Sequence, residues 1–314
     1  MLNAFLKVYD FSAGKQQEGS SLKNKKWIPA IRELFRKYPV PGSAAAVAFA
    51  LSLSRLSSQM LMLLPESILR DYLIPIGGIL STLLVVLLFG YQWCYHRGSA
   101  AKTVLAGLPL ILFMGFMLVY ILCLTFSTPD VEWLPPTGII LGILKLFEIG
   151  FLEESLFRGI VANGIGIRYG RDTKGVWLAV ILSGLIFGTV HLLNASVGVN
   201  LLSALAQSVT AWIFGILFAA IYFRGGNIWV MIFIHALINS SGLFEALFTV
   251  TETTHIDAIN ASSFEGWYLY PVLLTFTILL LRKSKITEVI ANLRSAAAED
   301  ELSSNSFIDK QYRK

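Results

Sequence analysis

Two adjacent glutamates, two histidines and an asparagine stand in stretches that are otherwise almost entirely apolar. Glu153 and Glu154 lie in GILKLFEIGFLEESLFRGIV, His191 lies in IFGTVHLLNA, and His235 and Asn239 lie in FIHALINSSG. Each ionisable group at mid-membrane costs ~2.5–3.5 kcal/mol, so a segment carrying several needs a compensating reason. Glu154 and Arg158 are four apart, share a helix face and can pair, and Lys145 and Glu148, three apart, can do the same. Glu153 falls about 100° around the helix from Glu154, with no partner on its own helix. An unpaired intramembrane carboxylate points to function, and a carboxylate in a low-dielectric cavity suits general-base chemistry. Phe187 and His191 are spaced i, i+4 with Asn194 three further on, and His235 and Asn239 repeat the i, i+4 spacing. Three helices thus each present polar groups at helical intervals, and a bundle core is where they can converge.

Taken singly, each group also has a structural explanation. Glu154 with Arg158 is by itself more naturally an ion pair than a catalytic group. His191 or His235 alone can be a hydrogen-bonded packing residue, Asn194, Asn239 and Gln207 can be interhelical links, and Phe187 is core or at most a wall of the site. Glu148 and Lys145 are read as structural, and His96 and His255 have no constellation around them. Jointly the balance changes. The chain has four histidines, and two of them sit inside apolar stretches beside a polar or aromatic partner while a third helix supplies the unpaired Glu153.

The segments EESLFR (153–158), FGTVH (187–191) and HALIN (235–239) match the patterns EExxxR, FxxxH and HxxxN in order. This resembles the CPBP family (CAAX protease and bacteriocin-processing), which includes the type II CAAX prenyl endopeptidases. The resemblance covers roughly residues 138–248. It implies peptide-bond hydrolysis within the membrane, with Glu153 and His191 activating a water molecule. His235 and Asn239 would bind the oxyanion, and Glu154 and Arg158 would hold the geometry of their helix. The family is often classed as metallopeptidase, and Glu153, His191 and His235 could hold Zn²⁺ with an open position for water. The zinc signature HExxH is absent, and Asn239 is a poor zinc ligand but a good oxyanion donor, so a metal-free mechanism is favoured.

These residues need helices to carry them. Of 314 residues 55% are hydrophobic and 14% charged, against about 25% charged in soluble domains. Stretches such as VLAGLPLILFMGFMLVYILCLTF (104–126) match the ~20 residues that a helix needs to cross a bilayer. The pattern predicts an all-α polytopic bundle of about eight transmembrane helices at 44–64, 73–94, 104–126, 138–163, 175–193, 199–222, 227–248 and 267–282. Lys and Arg concentrate in the N-terminal segment, in 95–103, 164–174 and 223–226, and after 282, while the alternate connections are poor in them. The positive-inside rule then places both termini in the cytoplasm. The net charge of +5 is explained by orientation, and no nucleic-acid partner is expected.

Three regions follow: a basic segment (1–43), the peptidase bundle (44–282) with its motif core at 138–248, and a cytoplasmic tail (283–314), flexible from about 295. Within the first, WIPAIRELFRKY (27–38) sets Trp27, Ile31, Leu34 and Phe35 on one face with basic residues opposite, as in an interfacial helix. Cys94 and Cys123 imply neither a disulfide framework nor a metal cluster. About forty polar, Lys-rich residues precede the first apolar stretch, with no secretory signal among them, and a bacterial plasma membrane is favoured. The expected partners are the lipid bilayer and a membrane-embedded, prenylated or otherwise lipidated peptide. A transporter, for which repeat symmetry is expected and none is found, and a non-catalytic membrane scaffold remain as alternatives. One geometric difficulty is that Glu153 falls near mid-depth and His191 near the outer end of its helix. Tilt, a break near Gly184 or Gly188, or a shifted boundary would reconcile them.

Overall fold

A computed structural model describes residues 27–251, 254–262 and 266–312, and these residues are all-helical but for one isolated bridge between Trp133 and Thr249. The main elements are α1 (Trp27–Lys37), α2 (Pro39–Leu61), α3 (Ile68–Phe89), α4 (Ala100–Ser127) and α5 (Pro136–Glu154). A π-helical stretch, Ser155–Ala162, joins α5 to α6 (Asn163–Tyr169) without a break. There follow α7 (Thr173–His191), α8 (Leu201–Gly225), α9 (Ile228–Gly242), α10 (Phe244–Phe248), α11 (His255–Ser262), α12 (Tyr270–Leu280) and α13 (Lys283–Tyr312).

Local chemistry sets the helix starts. Ser67, Ser99, Asp172, Asn200 and Asn227 each accept a hydrogen bond from a backbone amide three residues on, opening α3, α4, α7, α8 and α9. The α3 and α8 helices end on Gly90 and Gly226, both left-handed, where a residue with a Cβ would be strained. These caps, and for α2 the proline at its first position, explain why α2, α3 and α4 begin about five residues before the expected limits: apolar content marks the hydrocarbon-compatible part, and the start signal marks the helix.

Five helices, α2, α3, α4, α7 with its 3₁₀ extension, and α8, are long and apolar enough to cross a membrane. The weakest expected span, α2, is among them. The other three expected spans are helical but differ in kind. Lys145, Glu148, Glu153 and Glu154 interrupt α5, while α9 and α12 have only 15 and 11 residues. The expected helix over 227–248 is in fact α9 followed by α10, because Leu243 leaves helical geometry.

The core lies where α5, its π-helical continuation, α7 and α8 meet. Gly184 and Gly188 of α7 face Trp212 and Ser208 of α8, with Gly215 opposite Gly184, so the two backbones approach closely. Phe157, Leu156, Leu217, Phe218 and Tyr222 are buried there.

One expectation at the chain ends is corrected. The tail is not flexible from residue 295: α13 runs to Tyr312, and Ile286, Val289, Leu293 and Ala296 are buried against the bundle. Their three- and four-residue spacing is an amphipathic stripe diluted by alanine and charge. Asn292 on this helix donates to the carbonyls of Phe223 and Arg224, satisfying the otherwise unpaired end of α8. In the N-terminal segment α1 is helical and amphipathic as expected, with Arg32 and Arg36 turned toward the bundle. Arg32 is buried, donating to the carbonyls of Leu87 and Leu88, and Arg36 pairs with Asp300 at 2.6 Å. Phe35 packs edge-on against Phe89, while Ile31 and Leu34 are exposed.

Candidate active site

The site is assembled from α5, α7 and α9, with α8 as its back wall. The α5 and α9 helices meet tightly at Gly150, where a Cβ would stand 3.0 Å from the Ile232 carbonyl oxygen. That approach brings His235 of α9 between the two glutamates that end α5. His235 Nδ1 is 2.6 Å from Glu154 Oε1, and Nε2 is 3.3 Å from Glu153 Oε2. The two contacts are not equivalent. Nδ1 and Glu154 form a hydrogen bond, whereas Glu153 Oε2 is in ion-pair range but makes no hydrogen bond.

Glu154 therefore does more than pair with Arg158. Its Oε1 accepts from both Arg158, at 3.0 Å, and His235. Arg158 and Glu154 are fully buried. The guanidinium lies 4.8 Å from both the Phe187 and Phe218 rings, and its Nε and Nη2 have no hydrogen-bond partner. The cation is held by one carboxylate oxygen and two aromatic faces, in a setting dry enough for cation–π attraction to be strong.

His191 is half-buried at the end of α7. Its Nδ1 lies 2.9 Å from the Phe187 carbonyl, which can only accept, so Nδ1 carries a hydrogen and Nε2 of the neutral ring presents a lone pair. No hydrogen bond or ion pair joins His191 to Glu153 among the described residues. Phe187 stands between the two histidines, its ring centre 4.8 Å from that of His191 and 6.2 Å from that of His235. Asn239, one turn beyond His235, is half-buried, and its side chain makes no hydrogen bond to another described residue.

A shifted boundary accounts for the depth difficulty. The α5–α6 continuum ends at Tyr169, beyond the expected limit of 163. Glu153 is thus about 16 residues from Tyr169, and His191 about 18 from Thr173 on the antiparallel α7, comparable heights of ~24–27 Å at 1.5 Å per residue. The α7 helix is continuous through Gly184 and Gly188, which serve packing instead of breaking the helix.

The expected Lys145–Glu148 pair does not form. The Glu148 carboxylate instead lies over Gly78 of α3, where a Cβ would collide with it, so a gap in the neighbouring helix wins over the local partner. Asn194 and Gln207, each read as an interhelical link, bind one another at 2.7 Å. Phe218 carried no sequence signal, since an aromatic in an apolar helix is ordinary. It nevertheless packs on both Arg158 and His235, 5.6 Å from the latter ring.

As for a metal, no three His, Cys, Asp or Glu side chains among the described residues are placed to hold one ion. Of the His235 ring nitrogens, Nδ1 is taken by Glu154 and Nε2 faces Glu153 at 3.3 Å.

Residues 135–241, about a third of the chain, match the family described as type II CAAX prenyl endopeptidase Rce1-like. The match spans all three motifs and bears out the resemblance read from them. No curated protein matches the chain. The family matched is a protease family, and together with the five long apolar helices the match indicates a multi-pass integral membrane protein.

Proposed function

From the match of residues 135–241 to the type II CAAX prenyl endopeptidase Rce1-like family, we propose that the chain is an intramembrane endopeptidase whose chemistry is carried by Glu153, His191, His235 and Asn239. The observation that carries this is the seat of His235 between Glu153 and Glu154, which joins two of the three motifs in one polar cluster. Glu153, with a buried oxygen free of hydrogen bonds, takes a proton from water as that water attacks the scissile carbonyl, and the Nε2 lone pair of His191 orients the same water. His235 is held through Nδ1 by Glu154 and, protonated on both nitrogens, donates from Nε2 to the developing oxyanion. The unengaged Asn239 amide donates beside it. One preorganised donor of this kind lowers a barrier by about 3–4 kcal/mol. Glu154 and Arg158 position the histidine. Because His235 is turned to carboxylates on both sides, the proposed hydrolysis uses no metal.

The substrate class we propose is a prenylated or otherwise lipidated peptide entering from the bilayer. We further propose eight crossings, with α5–α6, α9–α10 and α12 added to the five long helices. Both termini are then cytoplasmic, and a bacterial plasma membrane is the proposed location. The peptidase bundle then extends from residue 44 to 282, with α13 docked upon it as a cytoplasmic cap instead of a loose tail.

Comparing membrane peptides from cells carrying the wild type with those from cells carrying Glu153→Gln tests the activity. Peptides that vanish in the variant are expected, and identical peptide sets would overturn the assignment. Cleavage that persists in strong chelator but is lost in Asn239→Ala supports the metal-free route; loss restored by Zn²⁺ would overturn it.

A further inference from the structure

Away from the site, a groove of about 620 Å³ runs along the wall formed by α4, α8 and α12. Its lining is almost entirely carbon and includes Leu110, Phe113, Met114, Phe214 and Val272. It continues into a second cavity of about 470 Å³, with Pro109, Phe276 and Leu279 common to both. There the lining changes character. Lys102, Arg224, Arg282 and Lys285 gather where α4 begins, α8 ends and α12 gives way to α13.

These cations outnumber their counter-charge. Glu288 pairs with Arg224 at 2.7 Å and with Lys102 at 3.4 Å. Arg282 is held by the Leu279 carbonyl and the Ser284 hydroxyl, both neutral. Lys285 has no acidic partner among the described residues. Four cations thus stand at the mouth of an apolar trough, and among the described residues one carboxylate answers two of them.

We infer that the paired cavities bind an anionic phospholipid, its acyl chain along the groove and its phosphate among Lys102, Arg282 and Lys285. A peptide would leave backbone amides unsatisfied against the carbon lining. An uncharged chain would leave the cation excess unanswered. A phosphate on an acyl chain satisfies both ends at once, and basic pockets at the ends of membrane helices are suited to such headgroups.

The test uses the full chain in nanodiscs of phosphatidylcholine and phosphatidylglycerol with identical acyl chains, followed by detergent exchange and quantification of retained lipid. Wild type should retain phosphatidylglycerol over phosphatidylcholine by roughly tenfold, corresponding to more than one Lys/Arg contact. Arg282→Gln with Lys285→Gln should erase the preference while still retaining lipid. Val272→Trp, which fills the groove, should release both lipids. If the double variant does not fold, Lys285→Gln alone should reduce the preference, since that side chain holds no acid. Equal retention of the two lipids, or an unchanged preference in the lysine variant, would overturn the inference. Glycerophosphoglycerol and inorganic phosphate separate the sources: displacement of the lipid by either at millimolar level would show a bare phosphate site and overturn the lipid assignment.

Discussion

At the scale of single residues, the two neighbouring glutamates should behave in opposite ways. Glu153→Gln removes the proposed base but leaves Arg158 and His235 with Glu154, so peptidase activity should fall to background while thermal stability is kept. Glu154→Gln strips the buried Arg158 of its only carboxylate hydrogen bond. Removing one partner of a buried pair costs about 3–5 kcal/mol, so this variant should lose both activity and several degrees of melting temperature, read by activity assay and thermal unfolding side by side. Equal melting losses in the two variants would refute the division of labour. The sequence made both glutamates visible, because charge in an apolar helix is conspicuous and four-residue spacing fixes the Arg158 partner. It could not show that Glu154 also binds His235, since helical periodicity orders neighbours along one helix and is silent about which face meets the next. Phe218 was illegible for the same reason.

At the scale of elements, the site depends on how closely α5 and α9 approach. Gly150→Val should push α9 away, because the added atoms meet the Ile232 carbonyl and the Ala236 amide. Activity should drop at least tenfold with the helix content unchanged in circular dichroism; full activity would show that the seam is not needed. The docking of α13 carries a pH dependence. Burial alone would raise the Glu288 carboxyl, but the hydrogen bonds and charges of Arg224 and Lys102 outweigh it and hold the group below its ordinary value. A carboxylate depressed in the folded state stabilises above its unfolded pKa, and that contribution is lost as pH falls through the folded pKa. Amide exchange over 283–300, corrected for intrinsic rates, should therefore be steady around neutrality and rise in acid beneath the ordinary glutamate range. In Glu288→Gln the acid-dependent part should vanish. The existence of the apolar helices was legible from apolar content, yet the ends of α2–α4 were set by proline, serine caps and glycine stops outside the apolar stretches. The α13 stripe was hidden because Ala296 stands where a larger residue would have announced a buried face.

At the scale of the whole molecule, the eight-crossing arrangement predicts which loops face which side. In a Cys123→Ala background, a membrane-impermeant thiol reagent should label Ser196→Cys on intact cells but Arg171→Cys only after permeabilisation. The reverse pattern, or labelling of both, would overturn the proposed orientation. The proposed order rests on the charge asymmetry between alternate connections, and the match to a family over 135–241 leaves the first three long helices to be understood from packing alone. Those helices are enclosed by a clasp between the two ends of the described chain: Arg36 on α1 meets Asp300 on α13, and Trp93 donates to the same carboxylate at 3.3 Å. The clasp has a consequence in time. A ribosome delivers Arg36 on α1, but its partner emerges only after α12 and more than half of α13 have been made. The proposed catalytic cluster, complete once Asn239 is synthesised, can therefore assemble before the clasp closes, and a nascent chain arrested between the two would carry that cluster on an unfastened bundle.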